Sequence, residues 1–257
     1  MPLVTFSRTD RLGEIVLDSP PQNLYSAELL ADLRVAVDEA AGSDIRALLL
    51  RAEGDDFSAG AELAVFIGID ETQARELSST VIGLIGAIEE LPIPTLALIH
   101  GQCYAGALET CLACDLIWAA EGSHIGQIEA VAGSITYAGG TQRIASRIGV
   151  ARAAEMVFTA AILPPEQLAS WGLINRVVPA ANLTTEGRAF AETLANGPTR
   201  AYATTKRMLH AWRSGGVIAA DKVTHAEGPL VMRSQDVQDG LLSLQQFGPG
   251  HAVFNGH

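Results

Sequence analysis

One stretch of the chain restricts its fold more than any other, because an apolar run, a group of small residues and a second apolar run follow one another between residues 94 and 114. The first run, residues 94–100, predicts a buried strand, and the second, residues 108–114, predicts a buried helix. Between them, Ala105, Gly106 and Ala107 predict a tight turn that opens the helix. The first N–H groups of a helix lack internal partners and lie at the positive end of its dipole, so this turn can hold a developing negative charge.

Two acidic residues near this turn are candidates for acid–base chemistry. Glu109 lies in the first turn of the predicted helix, and Glu129 follows the next predicted strand. If both carboxyl groups line one pocket, burial and like charge raise the pKa of at least one of them, as a general acid and base pair requires. Each residue also has a purely structural interpretation. Glu109 suits the positive end of a helix dipole, and Glu129 suits a solvated loop.

Length and charge limit the class of protein. A chain of 257 residues is long enough for one α/β domain with a small appendage. Its net charge of -12 disfavours nucleic-acid binding, which needs a basic face. No apolar run approaches the roughly 18 residues that cross a bilayer, so we expect no membrane association. The first residues show no secretory signal, and we expect a cytoplasmic protein.

The cysteines and one histidine offer weaker candidates. Cys103, Cys111 and Cys114 are an odd number in one segment, which favours reduced thiols over a disulfide framework. Cys111 and Cys114 have the spacing of a metal or redox motif, but they lie in an apolar run without a second ligand pair, so we predict packing residues and no metal site. His100 ends the predicted strand, where a hydrogen-bonded structural residue is favoured over a base.

The rest of the chain alternates strand and helix patterns, which favours a parallel or mixed sheet covered by helices. Ser26 is a good N-cap for a helix that runs to about residue 41, and Thr141 is a candidate cap of a later helix. Residues 151–210 have a helical pattern with breaks at prolines and glycines, and residues 247–251 are too glycine-rich for a regular helix. The other predicted segments are strands at 3–6, 14–17, 47–50 and 116–119, and a helix at 71–91.

Five segments, in this order and at these spacings, carry a resemblance to a known family: residues 57–62, 94–115, 126–129, 138–143 and 171–179. Over nearly its full length the chain resembles the enoyl-CoA hydratase/isomerase (crotonase) family. The resemblance implies an α/β fold, a crotonase-like spiral of β-β-α units with a helical C-terminal region. It further implies a core domain of residues 1–195 and a trimerisation or lid region of residues 196–257. A homotrimer or hexamer is the expected assembly.

The resemblance also assigns roles to individual residues. It makes the backbone N–H groups of Ala61 and Gly106 an oxyanion hole for a thioester carbonyl, and it places the two hydratase glutamates at Glu109 and Glu129. The implied reaction is syn addition of water to a 2-enoyl thioester, with acyl-CoA as the substrate and no further cofactor. The residues expected to contact the substrate or its CoA part are Ala59, Gly60, Leu63 and Tyr137.

Three departures from the family pattern bear on the substrate. Thr136 and Tyr137 stand where the family often has Pro-Gly. Residues 64–66 and 245–247 lack the cations that often meet CoA phosphates in this family. The missing cations leave open whether the thioester is carried by free CoA or by another carrier. Three alternatives also stay open beside hydration: enoyl-CoA isomerisation, hydrolysis of a C–C bond, and acyl-thioester binding without turnover.

Overall fold

Nine strands and nine helices are present in the computed structural model, which describes residues 2–256. The strands are β1 (Val4–Thr9), β2 (Leu12–Leu17), β3 (Ala47–Ala52), β4 (Thr95–Ile99), β5 (Gln102–Tyr104), β6 (Leu116–Ala120), β7 (His124–Gly126), β8 (Ile162–Leu163) and β9 (Arg176–Val178). The helices are α1 (Ala27–Ala41), α2 (Glu71–Glu89), α3 (Gly106–Ala113), α4 (Gly140–Ile148), α5 (Val150–Thr159), α6 (Pro165–Trp171), α7 (Leu183–Ala195), α8 (Thr199–Met232) and α9 (Gln235–Phe247). Short 3-10 turns lie at Leu63–Val65, Glu129–Ala132 and Ala180–Asn182.

The larger sheet has the strand order β1-β2-β3-β4-β6-β9, and all its pairs are parallel except β1 with β2. Continuous apolar runs form the central strands because both faces of the sheet are covered. Leu48 and Leu50 of β3 pack in the cluster that includes residues of α1, α2 and α3, whereas Leu49 packs in the cluster that includes residues of α7. The predicted mixed sheet with helical cover is confirmed.

Helix α1 begins where the sequence predicts. The Ser26 hydroxyl accepts a hydrogen bond from the Leu29 N–H at 3.1 Å, so one of the unpartnered N–H groups at the helix start is satisfied. Leu29, Leu33 and Val37 are buried along one face. This spacing turns the apolar stripe of the sequence towards the sheet.

Three predictions of local structure were wrong. The segment between β4 and α3 is more than a tight turn, because it contains β5, which pairs in parallel with β7 in a second, three-stranded sheet. The predicted helical region 151–210 contains two strands, β8 and β9. Thr141 does not cap α4, since the N-cap position is Gly139 and the Thr141 hydroxyl contacts that of Thr136.

The C-terminal region is a helical hairpin followed by α9 and an irregular tail. Gly215 and Gly216 interrupt α8 with non-helical backbone angles. Glu227 accepts hydrogen bonds from Thr204 and Arg207, so the two arms of α8 run side by side. Among the described helices, none combines the length and apolar character that a bilayer span requires.

The tail is held against the body of the protein. The Asp236 carboxylate accepts the N–H groups of Asn255 and Gly256, and Arg11 donates to the Phe254 carbonyl at 3.0 Å. The predicted boundary between residues 195 and 196 falls in the short link between α7 and α8, and this division stays a prediction. Its outer limits, residues 1 and 257, lie outside the described residues.

We predict that Gly187→Ala destabilises the protein and that Gly83→Ala stabilises it. A Cβ at Gly187 of α7 would lie 2.6 Å from a methyl group of the buried Leu98, whereas a Cβ at Gly83 of α2 meets nothing within 4 Å. Overpacking costs about 1–3 kcal/mol, and replacing a helical glycine gains about 1 kcal/mol. Urea denaturation measures both free energies of unfolding. A gain in stability for Gly187→Ala would contradict the packing described here.

Candidate active site

Two loops that are distant in sequence run side by side at the ends of β3 and β4. The Phe57 N–H donates to the His100 carbonyl at 2.9 Å, and the Ser58 N–H donates to that of Gln102 at 3.0 Å. In the opposite direction, the Tyr104 N–H donates to the Ser58 carbonyl at 3.1 Å. These strand-like bonds hold the loop that contains Ala61 beside the turn that begins α3.

The closest approach of the two loops lies at Gly60 and Ala105. A Cβ at Gly60, where φ is +99°, would lie 3.1 Å from the Tyr104 carbonyl oxygen, so glycine is required both by conformation and by space. Ala105 has a φ of 52° and a ψ of -124°, which is unusual for a residue with a side chain. Its N–H donates to the Gly126 carbonyl at 3.0 Å, which helps to hold this turn.

The two predicted oxyanion-hole residues, Ala61 and Gly106, present N–H groups without internal partners. Tyr25 bonds to the groups on either side of Ala61, through the Gly60 carbonyl and the Glu62 N–H, which turns the N–H of Ala61 away from Tyr25. Gly106 is the first residue of α3. Within residues 2–256, neither N–H has a hydrogen-bond acceptor. Both are therefore available to an oxygen atom of a ligand.

Glu109 lies one turn into α3 and is almost completely buried, with 3 % of its surface exposed. Its Oε1 atom accepts the Ala138 N–H at 3.0 Å and the Gly140 N–H at 2.7 Å. A Cβ at Gly140 would lie 3.0 Å from Cγ of Glu109 and 2.6 Å from Nε2 of Gln127. The carboxyl group therefore sits tightly against the loop that begins α4.

Glu129 is held by a residue that the sequence analysis missed. Gln127 is completely buried, and its Nε2 donates to Oε1 of Glu129 at 3.1 Å. We call the Ala138 and Gly140 N–H groups that bind Glu109 the Glu109 clamp. Because Gln127 also packs against Gly140, it fills the space between the Glu129 loop and this clamp. Among the described residues, Oε1 of Gln127 and Oε2 of Glu129 are buried without a hydrogen-bond partner. The sequence shows only that an amide stands two residues before the acid, and it does not show that this amide is buried.

The environment raises the pKa of both carboxyl groups. Burial is the main cause for Glu109, the negative charge of Glu129 adds to it, and the pKa rises from 4.5 to about 7. The N–H groups of Gly140 and Ala138 and the charge of Arg143 oppose this rise. Burial also raises the pKa of Glu129. A carboxyl group with a pKa near neutrality can both take and give a proton.

The predicted substrate-contact residues lie around these loops. The Ala59 N–H donates to the Gln22 carbonyl at 3.0 Å, and Leu63 begins a 3-10 turn with its side chain exposed. Tyr137 directly precedes the Glu109 clamp, and its ring stacks on that of Phe66 with centroids 5.9 Å apart. Their roles in binding stay predictions.

The weaker candidates have structural contacts. His100 Nε2 is hydrogen-bonded to the Gly54 carbonyl at 3.0 Å, as a strand-end residue would be. Cys103, Cys111 and Cys114 are free and buried in the core. Burial raises the pKa of Cys111 and Cys114, so these thiols are poor nucleophiles.

Comparison with known proteins identifies the family. The model of the enoyl-CoA hydratase/isomerase family matches residues 8–244. The chain belongs to this family. YngF of Bacillus subtilis, assigned to the enoyl-CoA hydratases/isomerases, is 33% identical over 74% of this chain and 75% of its own length.

Two further proteins agree in family or fold. The mitochondrial methylglutaconyl-CoA hydratase of Rattus norvegicus is 36% identical over 61% of this chain, a match that spans 50% of the rat protein. The crystal structure of an enoyl-CoA hydratase from Bacillus anthracis superposes with a TM-score of 0.92 at 27% identity, over 99% of this chain and 100% of that one. The expected crotonase-like α/β fold is confirmed.

We predict that Glu109→Gln stabilises this family member at pH 8 but not at pH 4. Between pH 4.5 and about 7 the folded protein retains a proton that the unfolded chain releases, so Glu109 reduces stability as the pH rises. Gln can still accept the Ala138 and Gly140 N–H groups. The expected gain at pH 8 is up to roughly 3 kcal/mol in the free energy of unfolding.

Urea denaturation of the parent protein and Glu109→Gln at both pH values measures this difference. Glu76→Gln on the exposed face of α2 is the matched control. An equal stability difference between parent and Glu109→Gln at the two pH values would contradict the raised pKa.

Proposed function

We propose that this protein catalyses the syn addition of water to the double bond of a 2-enoyl-CoA thioester. The observation that carries the proposal is the pairing of Glu109 with Glu129, two carboxyl groups with raised pKa values whose charges interact. Isomerases of this family commonly retain only the second of these acids. The name of the rat relative, a methylglutaconyl-CoA hydratase, supports the same chemistry.

The first step is binding of the thioester. Its carbonyl oxygen accepts hydrogen bonds from the N–H groups of Ala61 and Gly106, and the dipole of α3 favours the charge that develops there. Donors fixed in advance stabilise an enolate more than the neutral thioester. Losing one donor of this kind typically costs about 3–4 kcal/mol in the barrier.

The two carboxyl groups then move protons. Ionised Glu109 takes a proton from water as the oxygen attacks Cβ, and the electrons of the double bond form the enolate. Protonated Glu129 gives its proton to Cα, which completes the addition of H and OH to the double bond. Exchange with solvent returns both groups to their starting states. The raised pKa of Glu129 supports its role as the acid.

The CoA part is expected to lie along the loop that contains Ala59, Gly60 and Leu63. Residues 64–66 provide no cation there, so we assign recognition of this part chiefly to backbone groups and apolar contact. We also keep the proposals of a homotrimer or hexamer, a cytoplasmic location and no cofactor beyond the acyl-CoA substrate.

We predict that Glu109→Gln and Glu129→Gln each lower the hydration rate of a short 2-enoyl-CoA by about 10²- to 10⁴-fold, since each change removes one proton-transfer group. Loss of the absorbance of the conjugated thioester follows the reaction. Glu76→Gln is the control and keeps the parent rate. Parent-like hydration by either active-site variant would overturn the assignment of that residue.

Mass spectrometry of the products distinguishes hydration from the alternatives. Hydration adds the mass of one water, isomerisation of a 3-enoyl-CoA leaves the mass unchanged, and hydrolysis of a C–C bond in a β-dicarbonyl substrate gives two fragments. Binding of acyl-CoA without turnover of any of these substrates would favour a non-catalytic binding protein. Isomerisation, C–C hydrolysis or binding without turnover, if found without any hydration, would each overturn the proposal.

The stacked rings of Phe66 and Tyr137 are proposed to border the acyl group. One ring follows the Ala61 loop, the other precedes the Glu109 clamp, and both are about 40 % exposed. We predict that Tyr137→Ala raises the kcat/KM ratio of long to short 2-enoyl-CoA by at least about tenfold, because more apolar chain then fits. Phe158→Ala, at an exposed aromatic of α5, is the control. An unchanged ratio would remove Tyr137 from the acyl site.

A further inference from the structure

Two side chains accept N–H groups at the start of α4: Glu109 accepts that of Gly140, and the Thr136 hydroxyl accepts that of Thr141 at 3.2 Å. Gly139, the N-cap residue of α4, has a φ of +90° and no side chain to bond the helix start. Arg143, one turn into α4, supports the loop in a different way, because its guanidinium group donates to the carbonyls of the loop and accepts no N–H group. Its Nη1 donates to the carbonyls of Ala138 at 3.1 Å and Gly139 at 3.3 Å. Its guanidinium group also packs against the Cα of Gly139, where a side chain would otherwise project.

Arg143 is itself anchored from outside the loop. Its Nη2 donates to Oε2 of Glu89, at the end of α2, at 2.6 Å. The other oxygen of Glu89 pairs with Arg213 of α8 at 2.7 Å. The side chains of Arg143 and Glu89 are 16% and 18% exposed, so solvent screens this pair less than a surface pair.

We propose that Arg143, anchored by Glu89 and Arg213, is a positioning residue that holds the Ala138 and Gly140 N–H groups in place for Glu109. The consequence for hydration rests on the proposed function. The consequence for the ionisation of Glu109 does not, because it follows from the contacts of the free protein.

Arg143 acts on Glu109 in two ways with the same sign. Its positive charge lowers the pKa of Glu109, and the two N–H groups that it holds in place do the same. The carboxyl group of Glu129 acts in the opposite direction. Removing Arg143 must therefore raise the pKa of Glu109.

The charges around Arg143 keep its anchor ionised. Burial alone would raise the pKa of Glu89, but hydrogen bonds and charges from Arg143 and Arg213 outweigh it and lower the pKa. Burial, with the charge of Arg213, lowers the pKa of the nearby His210. At neutral pH the histidine is therefore uncharged, and the cluster consists of one carboxylate between two guanidinium groups.

The decisive experiment titrates Glu109 directly. Protein labelled with ¹³C at the glutamate side-chain carboxyl carbon is followed by NMR from pH 4 to pH 10, and the signal absent from Glu109→Gln identifies Glu109. We predict that Arg143→Gln moves the midpoint up by about one pH unit. Arg143→Lys moves the midpoint of Glu109 by less, because lysine keeps the positive charge. Some shift remains, because lysine lacks the planar group that bonds the loop carbonyls and Glu89 at the same time.

Arg213→Gln tests the anchor without touching the loop and moves the midpoint of Glu109 upward by a smaller amount. It also serves if Arg143→Gln fails to fold. Arg152→Gln, at an arginine that lies over Trp171 away from this cluster, is the control and leaves the midpoint unchanged. Unchanged midpoints in the folded Arg143 and Arg213 variants would overturn the proposal, even if their melting temperatures fell.

If the enzyme hydrates a 2-enoyl-CoA, the same variants have a kinetic signature. Arg143→Gln lowers kcat more than it raises KM, and the acidic limb of the pH–rate profile moves upward by the shift seen in the NMR titration. A protein that hydrates no substrate but shows the NMR shift would retain Arg143 as a positioning residue and lose the proposed reaction.

Discussion

The site depends on one interaction, the pair of hydrogen bonds from the Ala138 and Gly140 N–H groups to a single buried oxygen of Glu109. A carboxylate removed from water is several kcal/mol less stable unless other donors replace its hydration. Two backbone donors replace it only in part. Helix α3, which carries the acid, and the start of α4, which carries the donors, must therefore keep a fixed distance. Gly140 permits this approach because a Cβ there would lie 2.6 Å from Nε2 of Gln127 and 3.0 Å from Cγ of Glu109.

Because backbone donors replace only part of its hydration, Glu109 can both hold and release a proton. Burial outweighs the two N–H groups and the charge of Arg143, so the pKa of Glu109 settles at about 7 instead of falling below its ordinary value. With stronger compensation the group would stay ionised and could not easily hold a proton. With weaker compensation it would stay neutral and could not take one. The ion cluster of Glu89, Arg143 and Arg213 contributes to this balance, since the charge of Arg143 lowers the pKa of Glu109. Its contacts also connect the loop that binds Glu109 to the C-terminal hairpin, which is distant in sequence.

Local signals in the sequence predicted the parts of the fold that have local causes. The buried strand β3 follows from its apolar run, and the start of α1 follows from the Ser26 cap. Strands β5 and β8 have three and two residues, too few for a periodic pattern, and they are formed by pairing with β7, which is distant from β8 in sequence. The roles of Glu109 and Glu129 came from the family resemblance, since spacing alone allowed structural interpretations of each. The support from Gln127 and Arg143 comes from tertiary contacts, which a single sequence does not display.

In the proposed hydration, backbone and side chains have separate tasks, which makes the reaction compatible with an acidic chain. The donors at Ala61 and Gly106 are peptide groups, which add no net charge and survive any side-chain substitution that preserves the turn. In the proposed complex, the absence of cations at residues 64–66 therefore affects only the contacts to the CoA phosphates, which are remote from the reacting carbonyl. Tyr137 and Phe66 differ from these backbone donors, because their contribution comes from side chains, whose rings occupy space beside the same loops. In the proposed reaction, enolate stabilisation thus depends on the conformation of the chain, whereas the choice of acyl group depends on exchangeable side chains around it.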